Sequence, residues 1–242
     1  MILNIKRFNP ESAEKEYISS FEVNEKNLLN ALIEIKIKKD SSLTFRSGCK
    51  SGVCGSCAIK VNGVEKLACK TTIQNDSLIE PIKNSKVIKD LVVDVSHETL
   101  LIEKAIESIN KDTINKVNKD DIKKIDLQSN CILCNSCYSS CPIYSVNKEF
   151  LGPFALTRAL RYINDKKLIN KLSIVESIQL NGIWDCTLCS ACTLVCPQSI
   201  DPKADIMQLQ NISVQFGFSN PYQQNFDLGF NDDFGGFNPN SF

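Results

Sequence analysis

The sequence predicts an α+β protein in two parts: a small sheet carrying one helix, then an all-helical half. Three observations carry that prediction. The chain opens strand, strand, helix by hydrophobic period; a glycine-rich cysteine cluster with a hairpin follows; and two cysteine runs of one form stand in the second half with helical spacing between them. Those runs are CILCNSCYSSCP, from Cys131 to Pro142, and CTLCSACTLVCP, from Cys186 to Pro197.

Length and composition set the bounds. A chain of 242 residues with 43% hydrophobic content suits one or two globular domains able to bury a core. The expected division is 1–95, 96–215 and a tail over 216–242. Lysine plus arginine equal aspartate plus glutamate at 28 each, so no net field favours nucleic acid or an anionic membrane as a partner. No apolar run approaches the roughly 20 residues that span a bilayer.

Residues 2–8 and 17–23 read as paired strands across a polar turn at Asn9-Pro10, and Leu28, Leu29, Ala31, Leu32 and Ile35 recur at helical spacing behind Asn24, the expected N-cap. This is how a ubiquitin-like β-grasp begins. Next, Cys49, Cys54 and Cys57 have the C-x4-C-x2-C spacing of plant-type ferredoxins, with Cys69 as the fourth cysteine. Gly48, Gly52 and Gly55 lie among them, where backbone free of β-carbons can wrap closely around inorganic sulfide. Ala58–Val61 and Val64–Lys70 alternate around Asn62-Gly63, a strong hairpin signal that places Cys69 on a returning strand. One [2Fe-2S] cluster is the expected cargo.

The strand-like 77–82 and the apolar VIKDLVVDV lead to a domain boundary near residue 95 and a helix around 97–109. His97, the only histidine, reads as a capping or surface residue. The charged stretch 110–128 reads as a solvated helix pair or connection.

In each of the two later runs, two intervening residues let a tight loop aim three thiolates at three corners of a cube, and the fourth cysteine, followed by proline, points away. The runs therefore exchange their fourth ligands. Cys131, Cys134, Cys137 and Cys196 form one [4Fe-4S] site, and Cys186, Cys189, Cys192 and Cys141 form another. Zinc gives no reason for a third in-loop cysteine or for the repeated Cys-Pro ending. Disulfides fit poorly, because MILNIKRF lacks a secretory pattern and twelve cysteines in a reducing compartment imply metal or redox chemistry. Between the runs, Gly152-Pro153 starts a helix bearing Phe154, Leu156, Ala159, Leu160 and Ile163 on one face, and Trp184 reads as an aromatic packed near Cys186. The last 27 residues hold seven of the twelve phenylalanines and no Lys or Arg, the composition of a disordered or partner-docking arm.

The three sets of four use every cysteine. No dinucleotide fingerprint, nucleophile elbow or His-carboxylate cluster accompanies them, so the chain reads as a series of one-electron centres with no substrate chemistry of its own.

The order of these motifs, with RSGCKSGVCGSC, KLACKT, KDLVVDV, FLGP, LTRALRYINDK and IWDCTLCSACTLVCPQSIDPKADI, resembles the iron–sulfur subunit of succinate dehydrogenase and fumarate reductase over residues 1–212. The resemblance implies electron transfer between the FAD of a flavoprotein partner, which holds the catalytic dicarboxylate site, and a membrane-side, quinone-linked partner. Typical members carry a [3Fe-4S] cluster last, with a non-ligating residue where Cys189 stands. Here the thiolate predicts a second [4Fe-4S] cluster, against the alternative of [3Fe-4S] held by Cys141, Cys186 and Cys192. Quinone-binding members also carry a tryptophan and often a histidine where this chain has Val146 and Thr187. These departures point to the branch whose partner is rich in CCG motifs, the methylmenaquinol:fumarate and thiol:fumarate reductases, with the thiol-linked route then open. The competing readings are the iron–sulfur subunit of another flavin dehydrogenase and a free-standing ferredoxin-like carrier. A peripheral place at a membrane is expected, on the cytoplasmic face, with the periplasmic face reachable by co-export with a partner.

Overall fold

A computed structural model describes residues 1–106 and 116–222. The tail expectation from residue 223 on, and residues 110–115 of the charged stretch, fall outside the described residues.

Strand β1 (Ile2–Phe8) pairs antiparallel with β2 (Glu16–Glu22), Ile2 opposite Glu22 through Phe8 opposite Glu16. Alternation buries Leu3 and Ile5 completely and turns their neighbours outward. Helix α1 (Leu28–Lys38) lays Leu28, Leu29, Ala31, Leu32 and Ile35 on that face. Its N-cap is Asn27, not Asn24. The Asn27 side chain accepts from the Asn30 N–H, and Asn27 forms a bridge with Thr72 that holds the preceding residues extended.

Strands β3 (Ala58–Val61) and β4 (Val64–Leu67) form the expected hairpin, and β5 (Ser77–Glu80) lies parallel to β1. The sheet order β2-β1-β5-β3-β4, with α1 across one face, is the β-grasp arrangement. Cys69 is not on a strand. It sits on a 3-10 turn, Ala68–Lys70, because the Thr71 N–H bonds to Ala68 O and its hydroxyl to Leu67 O, curling the chain out of the ladder.

The VIKDLVVDV segment folds as a small hairpin of β6 (Val87–Lys89) and β7 (Val92–Val93). Asp90 at its tip is 1% exposed and accepts from Arg7 Nε at 2.8 Å, Thr44 N at 2.8 Å and Phe8 N at 3.2 Å. Arg7, the third inward position of β1, is equally buried and also donates to Asp40 at 2.6 Å. Removing either member of a buried ion pair leaves the other uncompensated, at a cost of about 3–5 kcal/mol.

The helical half comprises α2 (Ser96–Ala105), α3 (Lys119–Ser129), α4 (Ser136–Ser139), α5 (Pro142–Val146), α6 (Pro153–Ile163), α7 (Leu172–Ser177), α8 (Ala191–Leu194) and α9 (Pro202–Gln215). Helix α6 is its axis, packing on α9, α2, α3 and α4. Gly152, at φ +80°, starts it where a β-carbon would lie 2.2 Å from the Tyr138 ring, and Pro153 presets the first turn. Helix α3 buries nothing, as its charge pattern predicts, and is held by an Asn118–Asp121 capping box. The halves meet where Ile132 and Cys134 pack on the sheet core, where Ser139 Oγ donates to Glu65 at 2.6 Å, and where Gln198 donates to Gly52 O at 2.9 Å.

Candidate metal centres

The first cysteine group lies at the edge of the β-grasp half. Cys49 and Cys54 are exposed on the loop, while Cys57 and Cys69 are buried at the start of β3 and on the turn after β4. Backbone N–H groups converge on the loop sulfurs: Ser51 and Val53 donate to Cys49 Sγ and Cys49 donates to Cys54 Sγ, each at 3.4 Å. The Ser51 hydroxyl, followed by the N–H groups of Ser51 and Val53, draws the Cys49 thiol down to about 5. Burial pushes Cys57 up to about 11. Gly55, at φ +72°, abuts the helical half, where an added β-carbon would lie 2.8 Å from Ile132 O and 2.9 Å from Cys134 Cβ.

In the helical half the cysteines part into two sets of four. Cys131, Cys134, Cys137 and Cys196 line one cavity with Phe154, Thr157 and Ile200. Cys141, Cys186, Cys189 and Cys192 line another with Phe150, Pro153 and Ile206. The fourth cysteine of each run thus faces the cavity of the other run. Both loops turn through left-handed residues at matching offsets, Leu133 and Asn135 in the first, Leu188 and Ser190 in the second. Such conformations cost a β-carbon-bearing residue of order 1–2 kcal/mol and persist where the surrounding fold dictates them.

Burial raises Cys131, Cys134, Cys141 and Cys186 above the ordinary thiol value, Cys192 to about 12, and Cys137 furthest in direction. A buried thiolate persists only against positive charge at its sulfur, which is what iron supplies. Among the described residues, no three His, Cys, Asp or Glu side chains converge on a point as a single ion would require. Four sulfurs spread around an apolar cavity suit a polynuclear group.

Trp184 is partly buried against the helical core, its Nε1 donating to Gln179 at 2.8 Å. His97 makes no cap but lies at the surface as a partly buried residue: its Nε2–H donates to Lys148 O at 2.8 Å, and its ring stacks 6.3 Å from Tyr144. Sequence reasoning missed Tyr144 and the buried Glu98 beside it, since a lone Glu on an amphipathic helix carries no signal of burial. Val146 is 84% exposed.

Residues 2–100 match the 2Fe-2S iron-sulfur cluster binding domain family, and residues 128–200 match the 4Fe-4S dicluster domain family. The fumarate reductase iron-sulfur subunit of Haemophilus influenzae is 36% identical over 232 residues, covering 86% of this chain and 91% of the relative. The chain belongs to the fumarate reductase/succinate dehydrogenase iron–sulfur subunit family. It is accordingly an iron–sulfur electron-transfer subunit of the fumarate reductase type. Another member, the 8-methylmenaquinol:fumarate reductase iron-sulfur subunit of Wolinella succinogenes, is 33% identical over 221 residues, covering 82% of this chain and 67% of that one. A chain of the Mycobacterium smegmatis Sdh1 complex in its apo form shares the fold, with a TM-score of 0.78 at 23% identity over 92% of this chain and 98% of that chain. Among the described residues no helix is long and apolar enough to cross a membrane.

Proposed function

We propose that the twelve cysteines hold three clusters: [2Fe-2S] on Cys49, Cys54, Cys57 and Cys69; [4Fe-4S] on Cys131, Cys134, Cys137 and Cys196; and a second [4Fe-4S] on Cys141, Cys186, Cys189 and Cys192. The observation that carries this is the sorting of eight cysteines into two cavities with the fourth of each run crossed over. Cys189 shares the cavity of Cys141, Cys186 and Cys192, which supports a cubane over a three-iron centre there. When bound, these groups supply one-electron transfer. The packing supports the order of the centres: Gly55 lies against Cys134, and the cysteines of the two later cavities share one hydrophobic core with α4 and α6. The sheet and the helices form two domains that divide near residue 95.

The chain works as a peripheral subunit between an FAD-bearing flavoprotein, where the dicarboxylate is converted, and a membrane-side partner. The family and the exposed Cys49–Cys54 loop support the first contact. Cys189, Val146 and Thr187 support a partner of the CCG-motif type, the branch of the Wolinella relative.

Anaerobic purification from the native host tests this reading. Recovery of a flavoprotein and a CCG-motif subunit with the chain, and reduction of its centres on adding succinate, is the expected result. A chain that purifies alone, stable and unreduced by succinate, overturns it in favour of a free carrier.

A further inference from the structure

Beside the third cysteine set lies an open cleft of about 280 Å³ that the electron path leaves unused. Its floor is Glu98, 1% exposed, on the first turn of α2. Glu98 Oε1 accepts from Ser85 Oγ at 2.6 Å and from Tyr144 OH at 3.1 Å, while Oε2 is buried without a hydrogen-bond partner. A buried carboxylate oxygen without a protein partner is costly and calls for an explanation, a redox role among them. Tyr144 joins this carboxylate to the third cavity, since its own backbone N–H donates to Cys141 Sγ at 3.4 Å. Its hydroxyl remains a donor, because burial and then Glu98 push its ionisation upward.

We propose that Glu98 is the proton-exchanging group coupled to the redox change at the Cys141 ligand set, an inference that rests on the ligand assignment above. One electron arrives from the neighbouring centre and one proton enters from solvent through the cleft, forming the Oε2–H bond. On oxidation the electron leaves and that bond breaks, returning the proton to water. A neutral acid replaces the carboxylate whenever negative charge is added at the cavity, so the added electron is offset locally.

The groups facing Glu98 allow this exchange. From α5 and the segment after it come Tyr144 and Lys148, whose ammonium sits 4.2 Å over the Tyr144 ring and donates to Asn84 O at 2.7 Å. Burial lowers the ionisation of Lys148 and Glu98 opposes that shift, so the ammonium is the cation that faces the carboxylate across the cleft. Lys86 and Asp94 flank the cleft from the hairpin side, and His97 shares the helix. Tyr138, edge-on to Tyr144 at 4.7 Å, and Glu149, paired with Lys104, complete the set.

The test is a redox titration of the purified complex followed by EPR at several pH values, with iron analysis of the same samples. The midpoint potential of the third centre should fall by about 59 mV per pH unit over part of the range, since a tenfold change for one electron is that size. Glu98→Gln should hold it flat, at the level wild type reaches in acid, and leave the other cubane unmoved. Ser85→Ala removes a donor to the ionised form and should move the sloping window to higher pH, which decides the matter if Glu98→Gln fails to accumulate. A flat wild-type titration, a slope that survives in Glu98→Gln, or an unmoved window in Ser85→Ala overturns the coupling while the ligand assignment stands. Absence of a third centre by iron and EPR overturns both.

Discussion

The two later cysteine runs are near copies in backbone and opposites in surroundings. Each turns through left-handed residues on either side of its second cysteine, at Leu133 and Asn135 and again at Leu188 and Ser190, and each sends its fourth cysteine to the other's cavity. The first is covered: Asn135, Ser136 and Cys137 are buried, Gly55 presses on Cys134, and Arg158 donates to Cys131 O. The second lies more open, with Cys189 exposed and, within the same run, Leu194 84% exposed. One local sequence solution thus stands covered in one place and open in the other, as the proposed relay and exit would need. Cover, rather than loop geometry, separates the two runs.

Breaking the cross-over has the largest expected effect. Cys196→Ser, a change in the second run, should abolish the centre built on the first run, and Cys141→Ser should do the reverse; iron content and EPR of each variant read this out. Loss of the centre nearest the mutation in sequence, in both variants, would refute the exchange. A smaller effect separates the second cysteines. Cys134→Ala should remove a whole covered centre of about four irons, whereas Cys189→Ala should cost about one iron and leave a folded three-iron site.

The cover itself is broken by Gly55→Ala. A β-carbon there meets Ile132 O and Cys134 at under 3.0 Å in a backbone conformation that favours glycine, so the loops must separate. Stability should fall by about 1–3 kcal/mol in thermal unfolding, and electron transfer between the two halves should slow in flash reduction. Among the described residues no glycine of the sheet half presses on the second run in this way, so centres there should keep their potentials. The smallest effect sharpens the likeness: Leu133→Gly and Leu188→Gly each relieve left-handed strain against the added chain entropy of glycine. Each should change stability by less than about 1 kcal/mol and by similar amounts.

Much of this was legible in the sequence because cysteine spacing and hydrophobic period are local. The paired strands β1 and β2, the hairpin of β3 and β4, the start of α6 at Gly152-Pro153 and the solvated α3 all follow from residues within a few positions of one another. Features set by distant contacts escaped. Asn27 displaces Asn24 as the cap because of a bridge to Thr72, and Cys69 leaves its strand because Thr71 folds back on Leu67. Arg7 reads as an ordinary charged strand residue until Asp90, 83 positions away, is placed beside it. Glu98 and His97 gain their settings only when Tyr144 and Lys148 pack against α2, which no period or motif announces.

The most direct test of the central claim is iron analysis with EPR on the anaerobically purified protein, oxidised and then reduced with dithionite. Three clusters with Cys189 as a ligand predict about ten irons and a nearly silent oxidised state, with signals appearing on reduction. About nine irons and a strong oxidised-state signal that survives reconstitution with iron would contradict it, leaving Cys189 a bystander beside a three-iron centre.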